Sequence, residues 1–119
     1  MRRFIIEFGM GVDLHGQDVQ KAAEKAVRDA TSKSCLCGLK EILNLDDLSQ
    51  KVFVKVTVAV SRPEAVIASK VAACLPVGRT EVRAVKGGLN VPGLLVPEFG
   101  DKDDSIEVAI ACVEVCVAD

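Results

Sequence analysis

Residues 51–60 are KVFVKVTVAV, and this run decides the fold class. Every second residue is a valine, while the other positions include Phe53, Lys55 and Thr57. Successive side chains of a β-strand point to opposite faces of a sheet, so a two-residue period indicates a strand with one buried face. The residues of that face are Val52, Val54, Val56, Val58 and Val60. The run therefore predicts a strand whose valine face packs against a core.

The segment before this strand has helical spacing. Between Asp18 and Ser32, apolar residues recur at intervals of three and four, which places them on one helix face, and Asp18 is a suitable N-cap. The residues of this face are Val19, Ala22, Ala23, Ala26, Val27 and Ala30. A weaker pattern of the same period runs from Cys35 to Leu48. The sequence predicts a helix over 18–32, then a short helix and a connector.

The outer parts of the chain supply the remaining elements. Ser61 and Glu64 have the spacing of a capping box, with Pro63 in the first turn, so a second helix is expected from there to Pro76. The other predicted elements are a strand over 4–8, a strand over 79–86, an edge segment or loop over 91–96 and a final strand over 106–117. The order is strand, helix, strand, helix, strand, strand.

This order predicts a single α+β domain over residues 1–119, with a mixed β-α-β-α-β-β sheet and its helices on one face. Right-handed crossovers make the first two strands parallel. The final strand becomes apolar on both faces by its end, whereas the helices cover only one face. The uncovered face therefore predicts a homo-oligomer.

The element order, with Gly87-Gly88 followed by a long final strand, resembles the trimeric chorismate mutase-like fold. The resemblance implies that the sheets of three subunits pack together, so a trimer is expected. The chorismate mutase active site needs arginines, a glutamate and a tyrosine. This chain has no tyrosine, and Val82 lies where that enzyme places its glutamate. The resemblance therefore implies the fold and not the activity.

Charge and hydropathy exclude two classes of partner. The 15 basic and 17 acidic residues give no basic excess, and there is no Trp or Tyr on which bases would stack, so nucleic acid is not an expected partner. No apolar run reaches the roughly 18 to 20 residues that cross a bilayer, and Met1-Arg2-Arg3 precedes no cleavage-site pattern. We expect a cytoplasmic protein that does not bind a membrane.

The five cysteines lie mostly in apolar runs, where cysteine behaves as a small hydrophobic residue. They are Cys35, Cys37, Cys74, Cys112 and Cys116. Cys35 and Cys37 are compatible with a redox pair or half of a metal site, but no second pair has zinc-finger spacing. We expect free thiols and no disulfide.

Residues 9–18, GMGVDLHGQD, hold three glycines, three acidic or amide side chains and the only histidine. Following a strand and preceding a helix, they predict a loop whose backbone N–H groups and glycines bind an anion. The loop resembles the GxGxDxHG signature of an uncharacterised bacterial and plant protein family, with Gly9, Gly11, Asp13, His15 and Gly16 at its fixed positions. The resemblance implies no known activity.

Asp13 and His15 are the candidate catalytic residues of this loop. In an extended segment their side chains share one face, where they form a proton-transfer pair or two ligands of a divalent metal. A similar run occurs in zinc-binding cyclodiphosphate synthases, but a third ligand would have to come from elsewhere. The structural alternative is a tight turn braced by Asp13, with a buried and hydrogen-bonded His15. These alternatives remain open at this level.

Two cationic residues are further candidates for binding the anion. Arg62 follows the second strand, and parallel alignment places it at the same sheet edge as Asp13 and His15, although capping a helix is the alternative. Lys86 precedes Gly87-Gly88, and Glu114 lies in an apolar strand, so each of these charges needs a partner, within the chain or across an interface.

Two functions fit this pattern. The first is an enzyme that acts on a small anionic metabolite by acid–base chemistry, with Asp13 and His15 in a pocket at a subunit interface. The second is a non-catalytic oligomer that binds a metabolite or a metal. A catalytic pair requires a pocket open to solvent, whereas a structural pair is enclosed by its own loop.

Overall fold

The structure, a computed structural model, describes residues 1–15 and 18–119 and forms one mixed sheet with helices. The strands are β1 (Arg2–Asp13), β2 (Val52–Val60), β3 (Arg79–Lys86), β4 (Leu89–Pro92) and β5 (Ser105–Val117). The helices are α1 (Val19–Thr31), α2 (Gly38–Glu41), α3 (Leu48–Lys51) and α4 (Ala68–Ala72), with 3-10 turns at Pro63–Ala65 and Pro97–Phe99. The predicted α+β class and mixed sheet are confirmed.

The long strand β5 is the centre of the sheet. It pairs antiparallel with β1 on one side and with β2 on the other, and β3 joins β2 in parallel. The short strand β4 pairs with the first residues of β5, beyond the end of β2. Because β5 is antiparallel to both of its long neighbours, β1 and β2 run in the same direction. The body that results is elongated, with a longest dimension of 52 Å.

The two elements with the clearest periodicity form as predicted. All five valines of β2 are buried, and the residues between them are half-buried or exposed. The six apolar residues of the predicted helix face are all buried in α1, and the Asp18 carboxylate accepts a hydrogen bond from the Lys21 N–H. Both elements bury the face that their period defines, because α1 packs over β1, β5 and β2.

The predicted helix over 61–76 is wrong in its length. The chain makes only the Pro63–Ala65 turn, is extended at Val66 and Ile67, and then forms α4. Gln20 of α1 explains the interruption, since its amide oxygen accepts the Ile67 N–H at 2.7 Å. This bond takes the backbone donor that a continuous helix would use internally. The segment 35–48 forms the short helix α2 and then a connector, as predicted, and α3 adds one further turn over Leu48–Lys51.

The two faces of the sheet differ in their cover. Helix α1 covers the inner face of β1, β5 and β2, and α4 contacts β3. On the outer face of β1 and β5, large apolar side chains remain exposed: Phe8 (65%), Met10 (58%), Ile110 (48%) and Ile6 (44%). Monomeric soluble proteins rarely expose a contiguous apolar patch of this kind without using it.

Candidate functional site

The predicted glycine loop is wrong for Gly9 and Gly11, because β1 continues through both of them to Asp13. Each glycine lies directly under α1. A Cβ on Gly9 would lie 2.3 Å from the Ala26 carbonyl oxygen, and a Cβ on Gly11 would lie 2.2 Å from that of Ala22. These residues are glycine because the helix backbone approaches the strand too closely for a side chain. They face the helix rather than a cleft.

Asp13, the last residue of β1, braces the start of α1. Its side chain is 8% exposed, and Oδ2 accepts the backbone N–H of Asp18, the N-cap of α1, at 2.8 Å. The Lys25 ammonium lies 4.0 Å from the other oxygen. This arrangement corresponds to the structural alternative for Asp13. Gly16, the third glycine of the predicted anion site, lies outside the described residues, as does Gln17.

His15 is paired with Asp101 rather than with Asp13. Its Nδ1 lies 2.8 Å and 3.0 Å from the two carboxylate oxygens of Asp101, whose side chain is fully buried. The same carboxylate accepts the Val96 N–H at 2.8 Å, and Phe99 contacts the imidazole edge to face with centroids 4.9 Å apart. A hydrogen bond to a carboxylate requires the proton on Nδ1, which leaves the lone pair of the neutral ring on Nε2. With 35% of its side chain exposed, His15 is oriented without being enclosed.

A second buried carboxylate, Glu107, organises the neighbouring strand ends. It is 1% exposed and accepts three hydrogen bonds: from the Ser61 N–H at 2.9 Å, the Ser61 hydroxyl at 2.5 Å and the Asn90 amide at 3.0 Å. Glu107 pairs with Asp13 on β1 and with Asn90 on β4. Three donors compensate the burial of a charge that would otherwise be costly. The ends of β1, β2, β4 and β5 are thereby held together.

A polar cleft of about 560 Å³ opens at these strand ends. It is lined by Ser61, Arg62, Asn90, Lys102, Asp103 and Ser105. Two cationic side chains and one carboxylate make the lining net positive. Hydrogen bonds from the Ser105 hydroxyl and N–H hold the pKa of Asp103 below its usual value, and Arg62 lowers that pKa further, whereas Asp101 opposes the change. Asp101, which pairs with His15, therefore lies close enough to Asp103 in the cleft to act on its pKa, and His15 itself is not a lining residue.

Of the other charged residues singled out in the sequence, one lines the cleft and two do not. Arg62 lies at the edge reached by Asp13 and His15, as predicted, and its side chain makes no capping hydrogen bond to the turn that follows. Lys86 is not among the residues that line the cleft; it ends the edge strand β3 on the far side of β2. Glu114 finds its partner within the chain, since Arg3 lies 3.2 Å from its carboxylate.

Three important residues were missed by sequence reasoning. Asp101 belongs to the run 101–104, DKDD, and no local signal distinguishes it from Asp103 and Asp104. Asn90 lies in a segment interrupted by prolines. The sequence did contain a signal for Glu107. Its position alternates in step with Ala109, Ala111 and Val113, which lie on the buried face of β5. An acidic residue on a buried strand face indicates a paired or functional carboxylate.

Three further observations concern metals, membranes and thiols. Over residues 1–15 and 18–119, no group of three or more His, Cys, Asp and Glu side chains is arranged to hold a metal ion. In the same ranges, no helix has the length and apolar character needed to span a bilayer. All five cysteines are free thiols.

Comparison with known proteins places the chain in a family. The profile of the Lin0512 family of conserved hypothetical proteins matches residues 3–115. The chain belongs to this family. The six residues that line the cleft lie within the matched range.

A crystal structure shares this architecture. An FtsZ-like protein of unknown function from Nostoc punctiforme PCC 73102 is 41% identical to this chain, with a TM-score of 0.90. The alignment covers 99% of this chain and 97% of that one. No curated protein matches the chain.

Proposed function

We propose that this protein binds a small anionic metabolite in the polar cleft and acts on it by acid–base chemistry. The observation that carries the proposal is the His15–Asp101 pair, with Nδ1 at 2.8 Å from a fully buried carboxylate, beside a cleft that contains Arg62 and Lys102. A histidine oriented by a buried carboxylate, next to cationic side chains, is suited to move a proton on a bound anion.

The cleft suits an anion of modest size. Its volume of about 560 Å³ is within the range of small-molecule sites. The Arg62 guanidinium presents a planar set of donors that matches a carboxylate or phosphate, and Lys102 adds a second cation. Ser61, Asn90 and Ser105 supply neutral polar groups for the rest of the ligand.

The roles differ from those expected of the sequence motif. Asp101 holds the imidazole in the tautomer with its lone pair on Nε2, so Nε2 accepts a proton from the ligand or returns one to it. Asp13 stabilises the start of α1 and is not a proton donor in this proposal, because its two oxygens already face the Asp18 N–H and the Lys25 ammonium. Gly9 and Gly11 take no part in binding in this proposal.

A second candidate function is a non-catalytic oligomer that binds the same anion. The observation that favours it is the exposed apolar outer face around Phe8, Met10 and Ile110. We propose that this face joins copies of the chain into a trimer with a chorismate mutase-like arrangement of sheets. The β1-β5-β2-β3 order and the uncovered face support this, and the five free thiols support a cytoplasmic location.

Anion binding is tested by titrating inorganic phosphate into labelled protein and following the amide signals of Ser61, Asn90 and Ser105 by NMR. Loss of a charge-assisted hydrogen bond in Arg62→Gln should weaken binding about ten-fold. The matched control is Arg83→Gln, which removes an exposed arginine from β3, outside the cleft, and should change affinity less than about two-fold. Equal losses in the two variants would contradict a site at Arg62.

Enzyme and binder are separated by incubating wild-type protein with a mixture of anionic metabolites and analysing products by mass spectrometry. An enzyme consumes one component, and both His15→Ala and Asp101→Asn should lower that rate by about 100-fold or more. A binder retains one component after gel filtration without converting it. Turnover that persists unchanged in His15→Ala would refute the proposed chemistry.

Self-association is tested by light scattering on wild type, Phe8→Glu and Leu94→Glu. The two substituted residues have similar exposure, 65% and 71%, but only Phe8 lies on the outer sheet face. We expect three times the monomer mass of 12.6 kDa for wild type and Leu94→Glu, and the monomer mass for Phe8→Glu. A wild-type protein that is monomeric at micromolar concentration would contradict the proposed trimer.

A further inference from the structure

A second cavity lies at the opposite end of the sheet from the polar cleft and takes no part in the proposed function. It has a volume of about 480 Å³ and lies between the inner sheet face, the end of α1 and α2. Its apolar wall includes Leu36, Leu39, Val54, Leu75, Val113 and Val115. A cavity of this size and lining is typical of a site for an apolar small molecule.

One buried carboxylate breaks this apolar wall. Glu7 lies on the inner face of β1, two residues before Gly9, and is 9% exposed. The Ser34 hydroxyl donates to its Oε2. Among the described residues, no protein group donates to Oε1, and no fully buried side-chain oxygen lacks a partner, so Oε1 keeps accessible surface. Because Glu7 lines the cavity, a cation or a donor bound there is able to reach this oxygen and compensate a carboxylate in largely apolar surroundings.

The charges around the cavity have a definite sign. Glu7 and Glu41 contribute two carboxylates to the lining, against the single ammonium of Lys40. This balance favours a cationic ligand and disfavours an anionic one, the reverse of the polar cleft. An ammonium group donates short, charge-assisted hydrogen bonds to a carboxylate, and these bonds strengthen where water is excluded.

We propose that this cavity binds an apolar amine. The ammonium group donates to Glu7, and the hydrocarbon body lies against the leucine and valine wall. The site is independent of the polar cleft, because none of its lining residues is shared with it. An amine fits both halves of the cavity, whereas an alcohol leaves the carboxylate charge uncompensated and a carboxylic acid adds a second negative charge beside it.

The test uses three probes of equal chain length on wild-type protein: hexylammonium, hexanol and hexanoate. Binding is followed by the methyl NMR signals of Leu39, Val54 and Val113. We expect saturable shifts with hexylammonium, binding at least ten-fold weaker with hexanol, and no saturation with hexanoate. Equal affinities for hexylammonium and hexanoate, or no saturable shift with any probe, would overturn the proposal.

A substitution then tests Glu7 itself. Glu7→Gln keeps the shape of the side chain and removes its charge, and it should weaken hexylammonium binding at least ten-fold while leaving hexanol binding unchanged. The control Glu81→Gln, an exposed acid on β3 outside the cavity, should leave both affinities unchanged. Unchanged hexylammonium affinity in Glu7→Gln would overturn the assignment. The comparison of probes on wild type decides the question even if this variant fails to fold.

Discussion

The segment from Gly9 to His15 has two halves that differ in their surroundings. Gly9, Gly11 and Asp13 lie on the inner face of β1, where they contact or brace α1. His15, two residues further on, lies beyond the strand and pairs with Asp101 from a loop 86 residues later in the chain. These four residues have the same two-residue spacing in the sequence, but three of them contact the helix and the fourth contacts a distant loop.

The difference shows how a short motif divides at the end of a strand. While β1 continues, its alternation directs Gly9, Gly11 and Asp13 towards α1, and a side chain at either glycine would meet the helix backbone. Once the strand ends at Asp13, the same spacing no longer defines a face. The histidine half is then positioned by the loop that it contacts.

Gly11→Ala should destabilise the protein most. The new Cβ would lie 2.2 Å from the Ala22 carbonyl oxygen and 2.4 Å from the Ala26 nitrogen, so the helix backbone must move. We expect a loss of about 3 kcal/mol in the free energy of unfolding, measured by urea denaturation.

The matched control for this variant is Gly100→Ala. Its Cβ meets no atom within 4 Å, and its only penalty is the positive φ of 85°. We expect a loss of about 1 kcal/mol. Similar losses in the two variants would mean that close approach to α1 is not the reason for glycine in β1.

Asp13→Ala should have the next largest effect. The substitution leaves the backbone N–H of Asp18 without its acceptor at the start of α1, which costs about 2 kcal/mol. Asp46→Ala is the control, because Asp46 pairs with Lys51 on the surface with 82% of its side chain exposed. Water screens this exposed pair, so Asp46→Ala should change the free energy of unfolding much less than Asp13→Ala does. If Asp13→Ala left the free energy of unfolding unchanged, Asp13 would have no structural role at the start of α1 and would belong with His15.

His15→Ala should cost about 1 kcal/mol or less, since a third of the side chain is exposed and Asp101 keeps its bond from the Val96 N–H. Thermal and urea denaturation measure this value. The same variant should lose the turnover described above, which separates a site residue from a structural one. A loss of several kcal/mol would show that His15 belongs to the structural half and would remove the functional interpretation.

The smallest effect concerns pH and the free edge of β1. The Met10 N–H donates to Asp29 of α1 at 2.9 Å, and this bond, with help from Lys33, lowers the pKa of Asp29. A carboxyl whose pKa is lowered by folding stabilises the protein above its unfolded pKa of about 3.9, and the stabilisation is lost as pH falls through the folded value.

The variant Asp29→Asn tests this linkage. The difference in unfolding free energy between wild type and Asp29→Asn should be constant above about pH 5 and should shrink as the pH falls below about 4. Urea denaturation at a series of pH values measures it. A difference that does not change with pH would show that the ionised carboxylate contributes nothing at this edge.

Strong local periodicity was enough to predict several elements. The valine face of β2, the six buried residues of α1 with Asp18 as its cap, and β3 over 79–86 all agree with the structure. The helix over 61–76 was predicted too long, because the bond between Gln20 and Ile67 joins residues 47 positions apart. No window along the sequence contains that information.

The candidate site was predictable only in part. Arg62 was placed at the right sheet edge because it follows a strand whose direction the crossover rule determines. The partner of His15 was wrong: Asp13 is near in sequence, but Asp101 is its contact in space. Glu7, like Glu107, occupies a buried strand position, yet the leucines and valines around it come from distant segments.

Side-chain period is a property of neighbouring residues, so the sequence was enough to predict the α+β class, the inner face of the central strands and the helix that covers them. Only the folded chain shows that Gly9 and Gly11 lie under a helix, that His15 pairs with Asp101, and that two cavities with linings of opposite net charge form at the two ends of one sheet. Those features depend on which segments meet, and hydrogen-bond geometry and burial become defined only when they do.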